Sequence, residues 1–173
     1  AVFQPNFRGS TGYGNKLRLA GFREWGGKMQ DDITDGVKHL IAEGIADAKR
    51  VGIYGASYGG YATMAGLCFT PELYRCGVNY VGVTDIDLIL KEYPLPKKIN
   101  DAIDAVMIAD RSSDKDWIKS RSIQYNIDKV RAPVLMAYGM KDWRVPPKHG
   151  RILKRALDRN NIPNKLIIKA NEG

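Results

Sequence analysis

The chain has 173 residues, of which 44% are hydrophobic and 27% charged, and a mean hydropathy of −0.33. That composition suits one soluble globular domain with a real core. No apolar run approaches the roughly 18 to 20 residues of a membrane-spanning helix, and the opening residues do not read as a secretory leader. The formal charge of +8 comes from scattered Lys and Arg, with modest groups at Lys97-Lys98 and from Lys148 to Arg155. Without a basic stripe interleaved with aromatics, nucleic acid is not an expected partner.

In chain order, Val2 to Phe7 is expected to form a strand, and the Gly-rich loop Arg8-Gly9-Ser10-Thr11-Gly12-Tyr13-Gly14 follows it. From Asp31 to Glu43 the apolar positions Ile33, Val37, Leu40 and Ile41 fall at i, i+4, i+7 and i+8. They predict an amphipathic helix, opened by the acidic pair Asp31-Asp32 and stopped at Gly44. Arg50 to Gly55 is a short apolar strand, Tyr58 to Phe69 a helix of small residues, and Gly77 to Val83 another strand. Asp85 to Ser122 is polar and irregular, with two or three short helices. Pro133 to Tyr138 is a strand, Lys148 to Asn160 a helix, and Lys165 to Lys169 a last strand. Strands separated by helices predict an α/β fold with a mainly parallel sheet, covered by helices on both faces. All of residues 1–173 is expected to belong to one domain.

Cys68 and Cys76 are too few for a disulfide framework and are expected to be buried free thiols. With His39 and His149 distant from them, they supply no metal site, and no cofactor is expected.

The segment Gly55-Ala56-Ser57-Tyr58-Gly59 matches G-x-S-x-G. Its context carries the weight, because an apolar strand runs into it and a helix leaves it. In that setting the serine sits on a sharp strand-to-helix turn with strained backbone angles, and Gly55 and Gly59 must be small to let strand and helix pack. The N–H of Tyr58 is then placed to bind an oxyanion. The alternative is a glycine-rich turn in another doubly wound protein. A dinucleotide-binding loop would need G-x-G-x-x-G, and Ser57 occupies the middle glycine position.

A serine hydroxyl needs a base to remove its proton, and the base needs a carboxylate to orient it. On a strand–serine–helix fold the acid follows the serine and the histidine follows the acid. Asp142 lies just after the strand that ends at Tyr138, on the same sheet edge as Ser57. Its alternative role is a cap for the helix beginning at Lys148. His39 precedes the serine and reads as a packing or surface residue. His149 follows Asp142 too closely to lie on a loop beyond the next strand. The base is therefore expected after Gly173.

Taken together, these residues resemble the catalytic α/β-hydrolase domain of the prolyl oligopeptidase family, on the branch of acylaminoacyl and dipeptidyl peptidases. The similarity runs through Asn6 to Gly14, Trp25-Gly26-Gly27, Asp31-Asp32, Gly55-Ala56-Ser57-Tyr58-Gly59-Gly60-Tyr61-Ala62, and Gly139-x-x-Asp142-x-x-Val145-Pro146. The resemblance implies Ser57 as nucleophile, Asp142 as triad acid and the Tyr58 N–H as an oxyanion donor. It implies Val83, Ile86 and Val145 at the border of the substrate pocket, with residues other than proline accepted there. The family's H-G-G-P-like second oxyanion donor, its β-propeller and its triad histidine have no counterpart in these residues. The chain is thus expected to be an internal slice of a longer peptidase.

The leading functional expectation is a serine-type peptidase that hydrolyses oligopeptides through an acyl-enzyme on Ser57. Residues 1–173 alone are expected to be inactive for lack of the histidine. The alternatives are an esterase on the same scaffold and a non-catalytic fragment. The expected partner is an oligopeptide, with neither nucleic acid nor membrane. Homo-oligomerisation remains an option through apolar faces that further elements would cover.

Overall fold

The computed structural model describes residues 1–92 and 97–173. The side chains of the Lys97-Lys98 group, and residues 93–96 of the irregular stretch, lie outside the described residues. Four parallel strands form one sheet in the order β1 (Gly52–Ala56), β2 (Cys76–Tyr80), β3 (Val134–Gly139), β4 (Asn164–Lys169). Each parallel pairing needs a crossover. These are supplied by α3 (Tyr58–Phe69) between β1 and β2, by α4 (Ile86–Glu92), α5 (Lys97–Met107) and α6 (Lys115–Arg121) between β2 and β3, and by α7 (Lys148–Arg159) between β3 and β4. Before β1 lie the short α1 (Asn15–Leu19) and α2 (Lys28–Ala42). The fold class is the expected one, and α2 begins three residues earlier than its acidic pair suggested.

Register decides which side chains meet the helices. Gly77 pairs with Val134 and Asn79 with Met136, so these four and Tyr138 share one face. Against that face pack α3, over β1 and β2, and α7, over β3 and β4. Met64 and Leu67 of α3, Met136 and Tyr138 of β3, and Leu153 and Leu157 of α7 form one buried core. The opposite face is open. Tyr54 is 69% exposed, Leu135 is 37% exposed, and Tyr80 and Cys76 are exposed beside them. The helix cover expected on both faces is thus present on one, among the described residues. Cys76, expected to be buried like Cys68, lies on the uncovered face and is exposed.

Residues 1–7 do not form the expected strand. A strand needs a ladder partner, and here the run stands off from the free edge of β1. Phe3 and Phe7 instead form one wall of a groove of about 1090 Å³, with Ile33 and Val37 of α2 and Tyr54 to Ala56 of β1 as the other walls. Val2 is 99% exposed. The loop after residue 7 is latched to α2 by Arg8, whose guanidinium contacts Asp32 at 2.7 and 2.6 Å and whose backbone N–H donates at 2.9 Å. The hydrogen bond from Arg8 holds the Asp32 carboxyl below its ordinary range.

His149, in the first turn of α7, is fully buried. Its Nδ1 accepts from the Thr84 backbone N–H at 3.2 Å, and the Thr84 hydroxyl donates to the His149 carbonyl at 3.0 Å. This pair ties α7 to the turn after β2. Burial lowers the imidazole from its ordinary 6.5 to about 4, with Lys148 acting the same way against Glu92 and Asp142.

Met136 is fully buried while its neighbour Leu135 faces the open side. Met136→Ala should cost about 3 kcal/mol in urea denaturation and Leu135→Ala less than about 1 kcal/mol. For His149, the unfolded chain takes up the proton first, so stability is full above pH 6.5 and declines as pH falls towards 4. The decline should approach about 3 kcal/mol, and denaturation midpoints across that pH range should show it missing from His149→Gln.

Candidate active site

Strand β1 ends at Ala56 and α3 begins at Tyr58, which leaves Ser57 alone to turn the chain. It does so at φ 55°, ψ −118°, a region L-residues rarely occupy and that costs roughly 1–3 kcal/mol. The surroundings hold it there. The Ser57 N–H donates to the Tyr80 carbonyl at 3.0 Å, and its own carbonyl accepts from Gly60 and Tyr61 at 3.0 and 3.1 Å. A Cβ at Gly55 would collide with the backbone of Gly59, so strand and helix meet this closely only with glycine at 55. Gly59 departs from the expectation, because a Cβ there would enter open space. Ser57 itself is exposed.

Tyr58 opens α3, which puts its N–H among those a helix leaves without an intrahelical acceptor. Its ring is half-buried against the core, and desolvation pushes the hydroxyl well above its ordinary range. Around that ring stand Trp25, edge-on at 4.8 Å, Phe7 at 5.6 Å and Tyr61 at 5.7 Å. The hydroxyl lies 3.5 Å from Met29 Sδ.

Asp142 lies beyond the C-terminal end of β3, on the same sheet edge as Ser57. Since β2 alone separates β1 from β3, the two loops are about 10 Å apart at ordinary strand spacing. Asp142 does not cap α7, whose N-cap is Pro147. Its Oδ1 accepts instead from the N–H groups of Arg144 and Val145, both at 2.9 Å. The same loop is stitched to the end of β4. The Met140 N–H donates to Lys169 at 2.9 Å and the Lys141 N–H to Glu172 at 2.8 Å. Residues 170–173 are therefore held beside Asp142.

Neither histidine enters this space. His39 is exposed on the last turn of α2, and His149 is engaged with Thr84 inside the core. Val83, Ile86 and Val145 are 3%, 0% and 5% exposed and belong to the core, so they back the site and offer little surface of their own. Sequence reasoning gave no role to the aromatic ring around Tyr58, although Trp25-Gly26-Gly27 was visible as a motif. It also missed Asn79, whose buried Oδ1 accepts from the Gly82 N–H at 2.9 Å and shapes the turn after β2. Among the described residues, no group of three or more His, Cys, Asp and Glu is placed to hold a metal. None of their helices is long and apolar enough to cross a membrane.

Known proteins are similar to this chain in sequence and in fold. The family model for the prolyl oligopeptidase family matches residues 1–173. Dipeptidyl aminopeptidase BIII of Pseudoxanthomonas mexicana is 35% identical over 100% of this chain and 25% of its own length. The acylamino-acid-releasing enzyme of Mus musculus is 32% identical over 97% of this chain and 23% of its own. Among solved structures, a puromycin-hydrolyzing peptidase of Mycobacterium tuberculosis superposes with a TM-score of 0.87 at 27% identity, over 95% of this chain and 24% of that one. The uncomplexed acylaminoacyl peptidase of Pyrococcus horikoshii gives 0.86 at 26% identity, over 97% and 27%. The structural neighbours are α/β-hydrolase peptidases. The chain spans about a quarter of the length of these relatives. With the family matched end to end, and a serine elbow and a carboxylate loop on one edge of a parallel sheet, the chain belongs to the prolyl oligopeptidase family of serine peptidases.

Proposed function

We propose that Ser57 is the nucleophile of an oligopeptide-cleaving peptidase, Asp142 its triad acid and the Tyr58 N–H one of its oxyanion donors. The observation that carries this reading is the strained conformation of Ser57 at a strand-to-helix junction whose close packing excludes any side chain at position 55. Strain of this kind persists where a fold over-determines it, and it collects at reactive groups. In the proposed reaction, Ser57 Oγ attacks the scissile carbonyl while a histidine takes its proton. The tetrahedral oxyanion is held by the Tyr58 N–H, the histidine returns the proton to the leaving amine, and water then hydrolyses the acyl-enzyme.

The histidine would come from the segment that follows Gly173. The hydrogen bonds that hold residues 170–173 against the Asp142 loop support this, because a residue delivered there would lie between the acid and the serine. The Asp142 Oδ1 is occupied by its own loop, which leaves Oδ2 to orient an imidazole. Val83, Ile86 and Val145 would form the apolar floor beneath the substrate side chain. Peptidase activity would belong to the longer polypeptide, and residues 1–173 alone would turn over negligibly.

In a polypeptide that carries residues 1–173 within a whole catalytic domain, a fluorophosphonate should label Ser57, and Ser57→Ala should abolish labelling and turnover. Asp142→Asn should lower kcat by about 10⁴-fold. Residues 1–173 alone should remain unlabelled under the same conditions. Labelling that survives Ser57→Ala would overturn the nucleophile assignment. Efficient labelling of residues 1–173 would overturn the assignment of the base. The isolated segment should also self-associate through its open sheet face. Sedimentation velocity should show this weakened by the pair Tyr54→Ser and Leu135→Ser.

A further inference from the structure

Resting on the assignment of Ser57 and the Tyr58 N–H, we infer that Trp25 is a positioning residue that holds the oxyanion donor through the Tyr58 ring. Its indole meets the Tyr58 ring edge-on, with centroids 4.8 Å apart and planes at 76°, the geometry that aromatic quadrupoles favour. The same indole packs on Tyr61 at 5.0 Å. Trp25 thus contacts the first and fourth residues of α3, which lie one turn apart on one face of the helix.

Trp25 is itself held in place from behind. Gly26 takes φ +64°, and a Cβ there would strike the Tyr61 hydroxyl. The Gly26 carbonyl accepts from the Arg121 guanidinium, and the Tyr61 hydroxyl donates to the Arg121 carbonyl at 3.0 Å. The following Gly27 is the N-cap of α2, so the Trp25-Gly26-Gly27 turn joins α2, α3 and α6 around the first turn of the elbow helix. Phe7 closes the ring cluster from the other side, where the Arg8–Asp32 latch fixes its neighbour.

The need for such a hold begins at Ser57. Its disfavoured backbone would relax if the next residue could move, and relaxation would swing the Tyr58 N–H, the atom that has to meet the developing oxyanion. A ring clamped on several sides converts side-chain packing into a fixed direction for that N–H. A displacement of about 1 Å at such a donor costs on the order of 10²-fold in rate.

The test uses a catalytically whole polypeptide carrying Trp25→Leu, which stays apolar but removes the aromatic edge, and Trp25→Phe as the conservative variant, which keeps it. Trp25→Leu should lower kcat roughly 10- to 100-fold with KM changed less than about 3-fold. Affinity for a peptide aldehyde, which forms a tetrahedral adduct on the serine, should fall in step with kcat, and Trp25→Phe should restore most of both. A purely structural role would lower the melting temperature but leave kcat per folded molecule and aldehyde affinity unchanged, and that result would sink the proposal. A wild-type protein whose serine is unreactive would instead sink the assignment of Ser57, and this inference with it.

Discussion

Ser57 carries a backbone conformation that its own side chain disfavours, and much of the surrounding architecture supports it. The strand before it ends under the backbone of Gly59, and a hydrogen bond from its N–H crosses to β2. The residue after it is gripped by Trp25, Phe7 and Tyr61. These contacts act against a conformational cost of roughly 1–3 kcal/mol. Together they make the sharp turn the lowest-energy path from β1 into α3, and the turn leaves the hydroxyl exposed at the sheet edge.

The rest of the sheet is organised around the same edge. Parallel pairing sends each strand's C-terminal end the same way, so the loops after β1, β2, β3 and β4 all emerge together. The loop after β2 is shaped by Asn79 and anchored through Thr84 to His149. The loop after β3 presents Asp142, and residues 170–173 after β4 are bonded to it. The site is thus a convergence of loops on one side of a core that fills only one face of the sheet. The open face, with Tyr54, Tyr80 and Leu135 exposed, and the free edge of β1 are surfaces that a parallel sheet ordinarily covers.

The elbow was legible in the sequence because its cause is local. An apolar strand, a G-x-S-x-G and a small-residue helix follow one another without interruption, and Gly55 is needed for a reason that spans only four residues. The order of strands and helices was legible through period and length, and three short helices do occupy the irregular stretch between β2 and β3. Residues 1–7 misled because a strand exists only where another backbone lies alongside, and none does here. Cys76 misled for a related reason. Its β2 neighbours alternate correctly, but only register and helix placement determine which face becomes the inside.

By itself, then, the sequence determined the fold class, the sharp strand-to-helix turn at Ser57 and the carboxylate on the loop after β3, because each depends on residue types at short spacing. Tertiary structure alone decided which sheet face is core and that His149 is a buried tie to Thr84. It also decided that Asp142 bonds its own loop without capping α7, and that Trp25, thirty-three residues before Tyr58, stands against its ring. These depend on register, on crossover packing and on which side chains meet across distant segments, and no local pattern encodes such meetings.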